Sequence, residues 1–140
     1  MLRSSFPECS WRLADDDALL AEARQQIEDY LAGSRQDFSL PLDLRGTPYQ
    51  RLIWREVSSI PYGQTRSYQK VAEMTGRPRA MRAVGNAMGE NRLGLVIPCH
   101  RVIASGGRLG GYGGNTGLKI RLLKLEGAWD HELSKPIPAK

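Results

Sequence analysis

Apolar residues near the N-terminus recur at helical spacing, which predicts an amphipathic helix over residues 15–33. Three consecutive aspartates at its start supply an N-cap and a negative first turn, and Gly33 ends the pattern. The predicted buried stripe consists of Leu19, Leu20, Ala23, Ile27, Tyr30 and Leu31. Residues 38–44 then alternate between apolar and polar and contain Pro41, so we expect an extended linker there and not a central strand.

A second helix is predicted to begin at Pro48, because Thr47 is suited to cap it and proline is favoured at a first helical position. Its buried stripe would be Tyr49, Leu52, Ile53, Trp54 and Val57. Two shorter helices follow a turn at residues 61–64. Ser67 can cap the first, Gly76 ends it, and Pro78 can open the second, which runs through Met88.

A helix, a glycine turn and a second helix form the helix-turn-helix arrangement. Any helical hairpin has this spacing, so the pattern alone is compatible both with a DNA-binding element and with an ordinary helical hairpin. The second helix begins with the sequence RPRAMRAVGNA, which is basic at its start and small afterwards. Small residues let a helix backbone approach nucleic acid closely, and this composition favours DNA binding.

The C-terminal third is irregular around one polar motif. An apolar run, residues 93–97, predicts an extended segment leading into Pro98-Cys99-His100-Arg101. Glycines dominate residues 106–114, and a last helix is predicted over residues 118–127, with Leu122, Leu123 and Leu125 buried. We expect residues 128–140 to be a flexible tail.

Composition changes this picture mainly through charge. Of 140 residues, 41% are hydrophobic and 25% charged, which argues against a disordered or fibrous chain. Residues 1–46 hold five arginines against nine acids, net −4, whereas residues 47–140 hold fifteen basic residues against six acids, net +9. The second part therefore suits a polyanion such as nucleic acid, although a solvated basic surface without a partner is the alternative. With no leader or membrane segment recognisable, we expect a cytoplasmic or nucleoid protein.

The two cysteines, Cys9 and Cys99, are too few for a disulfide framework and lack the paired spacing of a zinc site. Cys99, directly before His100, is a candidate nucleophile, and a packed core thiol is the alternative. His100 could act on it directly or through water. Oriented by a carboxylate such as Glu126, it could lower the thiol pKa from about 8.5 to below 7.

These motifs resemble the O6-alkylguanine-DNA alkyltransferase family. The resemblance runs from Leu40 to Gly127 and rests on Ile97-Pro98-Cys99-His100-Arg101-Val102, Arg82-Ala83-Val84-Gly85, Gly111-Tyr112-Gly113-Gly114 and Leu122-Leu123-Lys124-Leu125-Glu126-Gly127. It implies an α+β, mostly helical fold. Residues 47–127 would be the active-site domain with a helix-turn-helix (winged-helix-like) element, and residues 1–46 a remnant of the N-terminal domain.

The resemblance also implies a role for individual residues. Cys99 would accept the alkyl group irreversibly from O6-alkylguanine in DNA, His100 and Glu126 would activate it through water, and Asn91 would hold the turn that places them. The guanine would be flipped out from the minor groove, with Arg82 filling the gap and Tyr68 contacting the flipped base. The remaining implied contacts are Gln69, Arg77 and Ser105 with DNA phosphates, and Tyr112, Gly113, Val102 and Met88 in the substrate pocket.

The implied partner is double-stranded DNA bound by a monomer, with no cofactor and no membrane. The only histidines are His100 and His131, so we expect no zinc. The chain departs from the family pattern at Gly94 and at Gly114-Asn115-Thr116, in the expected pocket.

Three other functions remain open at this point. A non-catalytic alkyltransferase-like sensor would bind alkylated guanine, but such relatives carry another residue in place of the cysteine. A helix-turn-helix regulator would read bases in the major groove, for which the second helix offers few side chains beyond arginine. A cysteine hydrolase would have no use for the Arg82 segment.

Overall fold

The structure, a computed structural model, describes residues 18–91, 93–111 and 115–137. The chain divides into two compact units, Met1–Asp43 and Leu44–Lys140. This division precedes the expected boundary at residue 46, because Leu44 packs against the core of the second unit. The predicted N-cap aspartates, Cys9, Tyr112 and Gly113 lie outside the described residues.

The described part of the first unit is one helix and the segment after it. Helix α1, Ala18–Leu31, lies within the predicted range, and Gly33 follows it with a φ of +83°. The Ser39 backbone N–H donates to Gln26 Oε1 at 2.9 Å, and the rings of Tyr30 and Phe38 lie 5.4 Å apart. The linker therefore folds back along α1, while Leu19, Leu20 and Leu31 of the predicted stripe remain exposed.

The second unit is built on α2, Pro48–Ser58, as its sequence predicts. Thr47 caps α2 in a full capping box: its hydroxyl accepts from the Gln50 N–H, and the Gln50 side chain accepts from the Thr47 N–H. Ile53, Trp54 and Val57 are buried, and Trp54 Nε1 donates to the Ala87 carbonyl at 2.9 Å. The predicted start of this helix is confirmed, and three of the five residues of its predicted stripe are buried, whereas Tyr49 and Leu52 are half-buried.

Helices α3, Tyr68–Met74, and α4, Met81–Glu90, form the predicted helix-turn-helix. Ser67 caps α3 by accepting from the Lys70 N–H, which confirms that cap. The predicted start of the second helix at Pro78 is wrong. Residues 78–79 form a turn in which the Ala80 N–H donates to the Arg77 carbonyl, and α4 begins only at Met81.

Two short parallel strands join this element to the polar motif. Strand β1, Arg66–Ser67, pairs with β2, Val102–Ile103, and so brings the start of α3 beside the residues that follow Cys99. The expected extended run at residues 93–97 is instead a turn, closed by the Ile97 N–H on the Leu93 carbonyl at 2.8 Å. Helix α5, Thr116–Leu125, begins two residues before the predicted start, because Asn115 caps it by accepting from the Leu118 N–H.

Residues 128–137, which were expected to belong to a flexible tail, are folded. Strands β3, Trp129–Asp130, and β4, Lys135–Pro136, form an antiparallel hairpin. The Ile137 N–H donates to the Ala128 carbonyl at 2.9 Å, and Thr65 Oγ1 donates to the Ile137 carbonyl at 3.1 Å. Burial of Ala128 and Pro136 holds the hairpin on the unit, and these contacts are not visible in the sequence pattern.

The fold is α+β and mostly helical, as expected. Within residues 18–91, 93–111 and 115–137, no helix combines the length and the apolar character that crossing a bilayer requires.

Candidate active site

Cys99 lies in a single turn of 3₁₀-helix, Cys99–Arg101, directly after Pro98. It is 5% exposed and contacts the Asn91 side chain, whose Nδ2 is within hydrogen-bond reach of Sγ. Asn91 also accepts from the Leu93 N–H at 2.8 Å and donates to the Ile97 carbonyl at 3.1 Å. One asparagine therefore holds both ends of the turn before the thiol and contacts the sulfur itself.

The thiol of Cys99 is not activated in the resting protein. Burial raises its pKa from 9.0 to about 11, although the Asn91 hydrogen bond and the positive charge of Lys119 oppose the shift. The expectation of a pKa below 7 is therefore wrong. At pH 7 a thiol with this pKa is ionised in about one molecule in ten thousand, so the proton must leave during the reaction.

The carboxylate of Glu126 accepts hydrogen bonds from two segments of the chain. His100 Nε2 lies 2.6 Å from Oε2, and the Arg101 guanidinium donates to both oxygens at 2.9 and 3.0 Å. The Gly63 backbone N–H donates to Oε1 at 3.2 Å. A third nitrogen of Arg101 donates to the Ile60 carbonyl at 2.7 Å. Glu126 and His100 side chains are fully buried, so this cluster is a fixed part of the interior.

His100 is neutral at physiological pH. Burial lowers its pKa below the usual 6.5, outweighing the hydrogen bond and charge of Glu126, which raise it. Because Glu126 is ion-paired with Arg101, the ring proton of neutral His100 belongs on Nε2, where it donates to the carboxylate. Nδ1 then carries the lone pair and is the atom that can accept a proton.

Tyr68 begins α3 and faces the glycine loop. A Cβ built on Gly110 would lie 3.2 Å from the Tyr68 hydroxyl, and Gly110 has a φ of +75°, so only glycine fits without strain. Burial and the nearby Cys99 raise the pKa of Tyr68, while a hydrogen bond with the Gly111 backbone lowers it. The phenol therefore keeps its proton at neutral pH.

Lys119 is a site residue that the sequence reasoning missed. Its side chain is fully buried, and Nζ donates to the carbonyls of Val102 at 2.7 Å and Gly111 at 3.2 Å. Burial lowers its pKa to about 8, against the opposing charge of Cys99. A signal was available, because Lys119 falls three and four residues before the buried Leu122 and Leu123 and so shares their face of α5.

The structure places the expected DNA contacts on or beside the helix-turn-helix. Arg82 is exposed on α4, where a Cβ on Gly85 would meet nothing within 4 Å. Gln69 is exposed on α3 and bonds Glu73 at 3.5 Å. Arg77 lies in the connection between the helices, and Ser105 begins a one-turn segment after β2.

The expected pocket residues are only partly described. Val102 is buried; its N–H donates to the Cys99 carbonyl and its own carbonyl accepts from Lys119. Met88 packs against the core of the second unit. Across the described ranges, no three His, Cys, Asp or Glu side chains cluster as metal ligands would.

Two family models match the chain. The model described as "6-O-methylguanine DNA methyltransferase, DNA binding domain" matches residues 48–128. The model described as "6-O-methylguanine DNA methyltransferase, ribonuclease-like domain" matches residues 3–44. The two matches follow one another along the chain and meet near the division between the two compact units.

Individual relatives of this chain are named methylated-DNA–protein-cysteine methyltransferase. The constitutive methylated-DNA–protein-cysteine methyltransferase of Bacillus subtilis is 49% identical over 108 residues, which are 76% of this chain and 66% of the relative. The Mycobacterium bovis relative is 42% identical over 126 residues, 90% of this chain and 76% of its own length. This chain thus spans about two thirds of the B. subtilis protein and three quarters of the M. bovis protein.

Solved structures of two proteins bound to DNA also align with this chain. Mycobacterium tuberculosis OGT in complex with DNA aligns with a TM-score of 0.75 at 47% identity, covering 76% of this chain and 65% of that one. S. pombe ATL in complex with DNA aligns with a TM-score of 0.55 at 28% identity, covering 66% and 90%. Because the DNA-binding-domain model spans more than half of the sequence, the chain belongs to the 6-O-methylguanine DNA methyltransferase family.

Proposed function

We propose that this chain repairs DNA by transferring the alkyl group of O6-alkylguanine to Cys99 in a single, irreversible reaction. The observation that carries this proposal is the grouping of Cys99 with Asn91, beside a neutral His100 held on Glu126. A nucleophile next to a base that a third group orients is the arrangement that nucleophilic catalysis requires.

The chemistry balances without a cofactor. The Cys99 proton passes to Nδ1 of His100, directly or through a water molecule, and Glu126 stabilises the imidazolium that forms. The sulfur then attacks the alkyl carbon, a carbon–sulfur bond forms, and the carbon–O6 bond breaks with its electron pair going to the guanine. The protonated Tyr68 supplies a hydrogen bond or proton to the departing ring. The product thioether has no easy reversal, so each molecule acts once.

The substrate must reach a buried sulfur, which a base stacked in a duplex cannot do. The alkylated guanine therefore leaves the stack at a cost of a few kcal/mol, and the exposed Arg82 on α4 is proposed to fill the space from the minor groove. We further propose that a monomer of this chain acts on double-stranded DNA. It would then work wherever DNA is kept: the cytoplasm and nucleoid of a bacterium, or the nucleus of a eukaryote.

Mass spectrometry tests the proposal. After incubation with a duplex containing O6-methylguanine, the intact protein should gain about 14 mass units, one methyl group in place of one proton. Peptide mapping should place the methyl group on Cys99, and a Cys9→Ser chain should gain the same mass. Methylation of Cys9 would refute the assignment, while tight binding without any mass change would favour the non-catalytic sensor.

The pH dependence separates the two routes by which the thiol could lose its proton. Because the pKa of His100 is lowered, its neutral form persists below pH 6.5, so the transfer rate from free O6-benzylguanine should vary by less than about twofold between pH 8 and 6.5 and fall at lower pH. Stopped-flow or quenched single-turnover rates measure this. If the thiolate formed in bulk solvent before attack, the rate would rise about tenfold per pH unit up to the Cys99 pKa of about 11.

A further inference from the structure

Arg77, which lies in the connection between α3 and α4, is held by an aromatic ring from a different helix. Its guanidinium carbon lies 4.4 Å from the ring centroid of Tyr49, in the first turn of α2. At this distance the positive charge is attracted to the electron-rich face of the ring. Two segments that are distant in sequence therefore meet through this pair.

The ring of Tyr49 is itself fixed in place. Its hydroxyl lies 2.7 Å from Thr75 Oγ1, and Thr75 Oγ1 donates its proton to the Ala72 carbonyl at 2.7 Å. With the threonine proton used in this way, the tyrosine hydroxyl must be the donor to Thr75. Tyr49 is thus anchored to Thr75 at the C-terminal end of α3, two residues before Arg77.

The backbone of Arg77 is equally constrained. The Arg77 N–H donates to the Ala72 carbonyl at 3.0 Å and the Gly76 N–H to the Glu73 carbonyl at 2.9 Å, with Gly76 at a φ of +81°. This is the Schellman motif that ends many helices. Backbone and side chain of Arg77 are therefore both held before any ligand arrives.

No acidic side chain among the described ion pairs neutralises the Arg77 guanidinium. Arg77 is exposed, and among the ion pairs of the described residues none involves it. Arg79 and Arg82 follow within five residues and are also exposed. An exposed cation over a ring adds little to folding stability, so a fixed, unneutralised arginine beside other arginines is suited to an external anion.

We propose that Tyr49 is a positioning residue, which pre-organises Arg77 to contact a phosphate of the DNA backbone. The inference rests on the proposed function and deepens it, because it gives the phosphate contact that the family resemblance implies for Arg77 a positioning residue in α2. A guanidinium stacked on a ring keeps its edge N–H groups available for phosphate oxygens. A side chain already held in its bound position loses less freedom on binding, which strengthens the complex.

Salt-dependent binding to an undamaged fluorescent duplex, measured by anisotropy between 50 and 200 mM KCl, tests the role of each residue. Arg77→Gln should make the slope of log Kd against log salt concentration shallower by about 0.9, the value for one lost phosphate contact. Tyr49→Leu should leave the slope unchanged, because the charge remains, and weaken binding about two- to fivefold. Tyr49→Phe keeps the ring and should restore most of that affinity.

A double-mutant cycle shows whether Tyr49 acts through Arg77. The chain with both Tyr49→Leu and Arg77→Gln should bind no more weakly than Arg77→Gln alone. Arg55→Gln, at the other end of α2, removes the same charge from an exposed site and should change neither affinity nor slope. Far-UV circular dichroism confirms that each chain is folded.

Three results would overturn the inference: additive losses in the cycle, an unchanged slope for Arg77→Gln, or no rescue by Tyr49→Phe. The proposed function is tested separately, by methyl transfer to the unsubstituted chain. A chain that transfers nothing and still shows the coupled salt dependence would refute the repair function and leave the phosphate contact standing.

Discussion

A Glu126→Gln chain is expected to accept the benzyl group from free O6-benzylguanine about a hundred to ten thousand times more slowly than the unsubstituted chain. The amide cannot stabilise the imidazolium that forms when His100 accepts the thiol proton. It also donates as well as accepts, so it cannot take the hydrogen bonds of His100, Arg101 and Gly63 together. Single-turnover rates, quenched and resolved by mass, measure the effect.

The same substitution should also destabilise the fold, because it leaves the buried guanidinium of Arg101 without its counter-charge. Breaking one side of a buried ion pair costs about 3–5 kcal/mol. The rates are therefore compared per folded molecule, with the folded fraction taken from urea unfolding at the same temperature. Glu132→Gln, an exposed carboxylate in the C-terminal hairpin, is the matched control and should leave both quantities unchanged. A Glu126→Gln rate within threefold of the control would remove Glu126 from the mechanism.

An Arg82→Ala chain should repair O6-methylguanine in a duplex about ten- to a hundredfold more slowly, and react with free O6-benzylguanine at the unsubstituted rate within error. The expected loss corresponds to part of the few kcal/mol needed to extrude a base, which the inserted side chain offsets. The free base is already unstacked and needs no such support. Arg82 is exposed at the start of α4, so its removal leaves no cavity in the core.

Arg121→Ala removes an exposed arginine from α5 and is the matched control for charge. Both rates should stay the same in this chain. If Arg82→Ala slowed the two substrates equally, the residue would act in folding or in the chemical step, and extrusion would need another side chain.

Local signals in the sequence were sufficient to predict several helix starts. Thr47 and Ser67 each have a hydroxyl that accepts from the backbone N–H three residues later, a local interaction that is visible in the sequence. The grouping of Cys99, His100 and Glu126 came from motif order and resemblance; the structure pairs His100 with Glu126 and places the Cys99 sulfur on Asn91.

The predictions from the sequence were wrong where a single side chain determines the backbone conformation or the pKa of a buried group. The run at residues 93–97 is apolar enough for a strand, but Asn91 folds it into a turn by bonding both ends. Lys119 shares the buried face of α5 by its spacing, but a lysine is rarely buried, and the two carbonyl partners that make its burial possible are not visible in the sequence. The thiol pKa was expected to fall because a histidine follows it, whereas burial outweighs every neighbouring charge.

The depth at which Cys99 lies governs how long each copy of the protein remains usable. A thiol that is protonated and nearly enclosed reacts slowly with peroxides and with diffusible alkylating agents, since these attack the exposed thiolate. Only an alkylated base that is bound next to Cys99 would react while His100 takes the proton of the thiol. Under the proposed single-turnover reaction, each copy would thereby be kept in reserve for lesions, and its working lifetime would be set by damage to DNA more than by the oxidants around it.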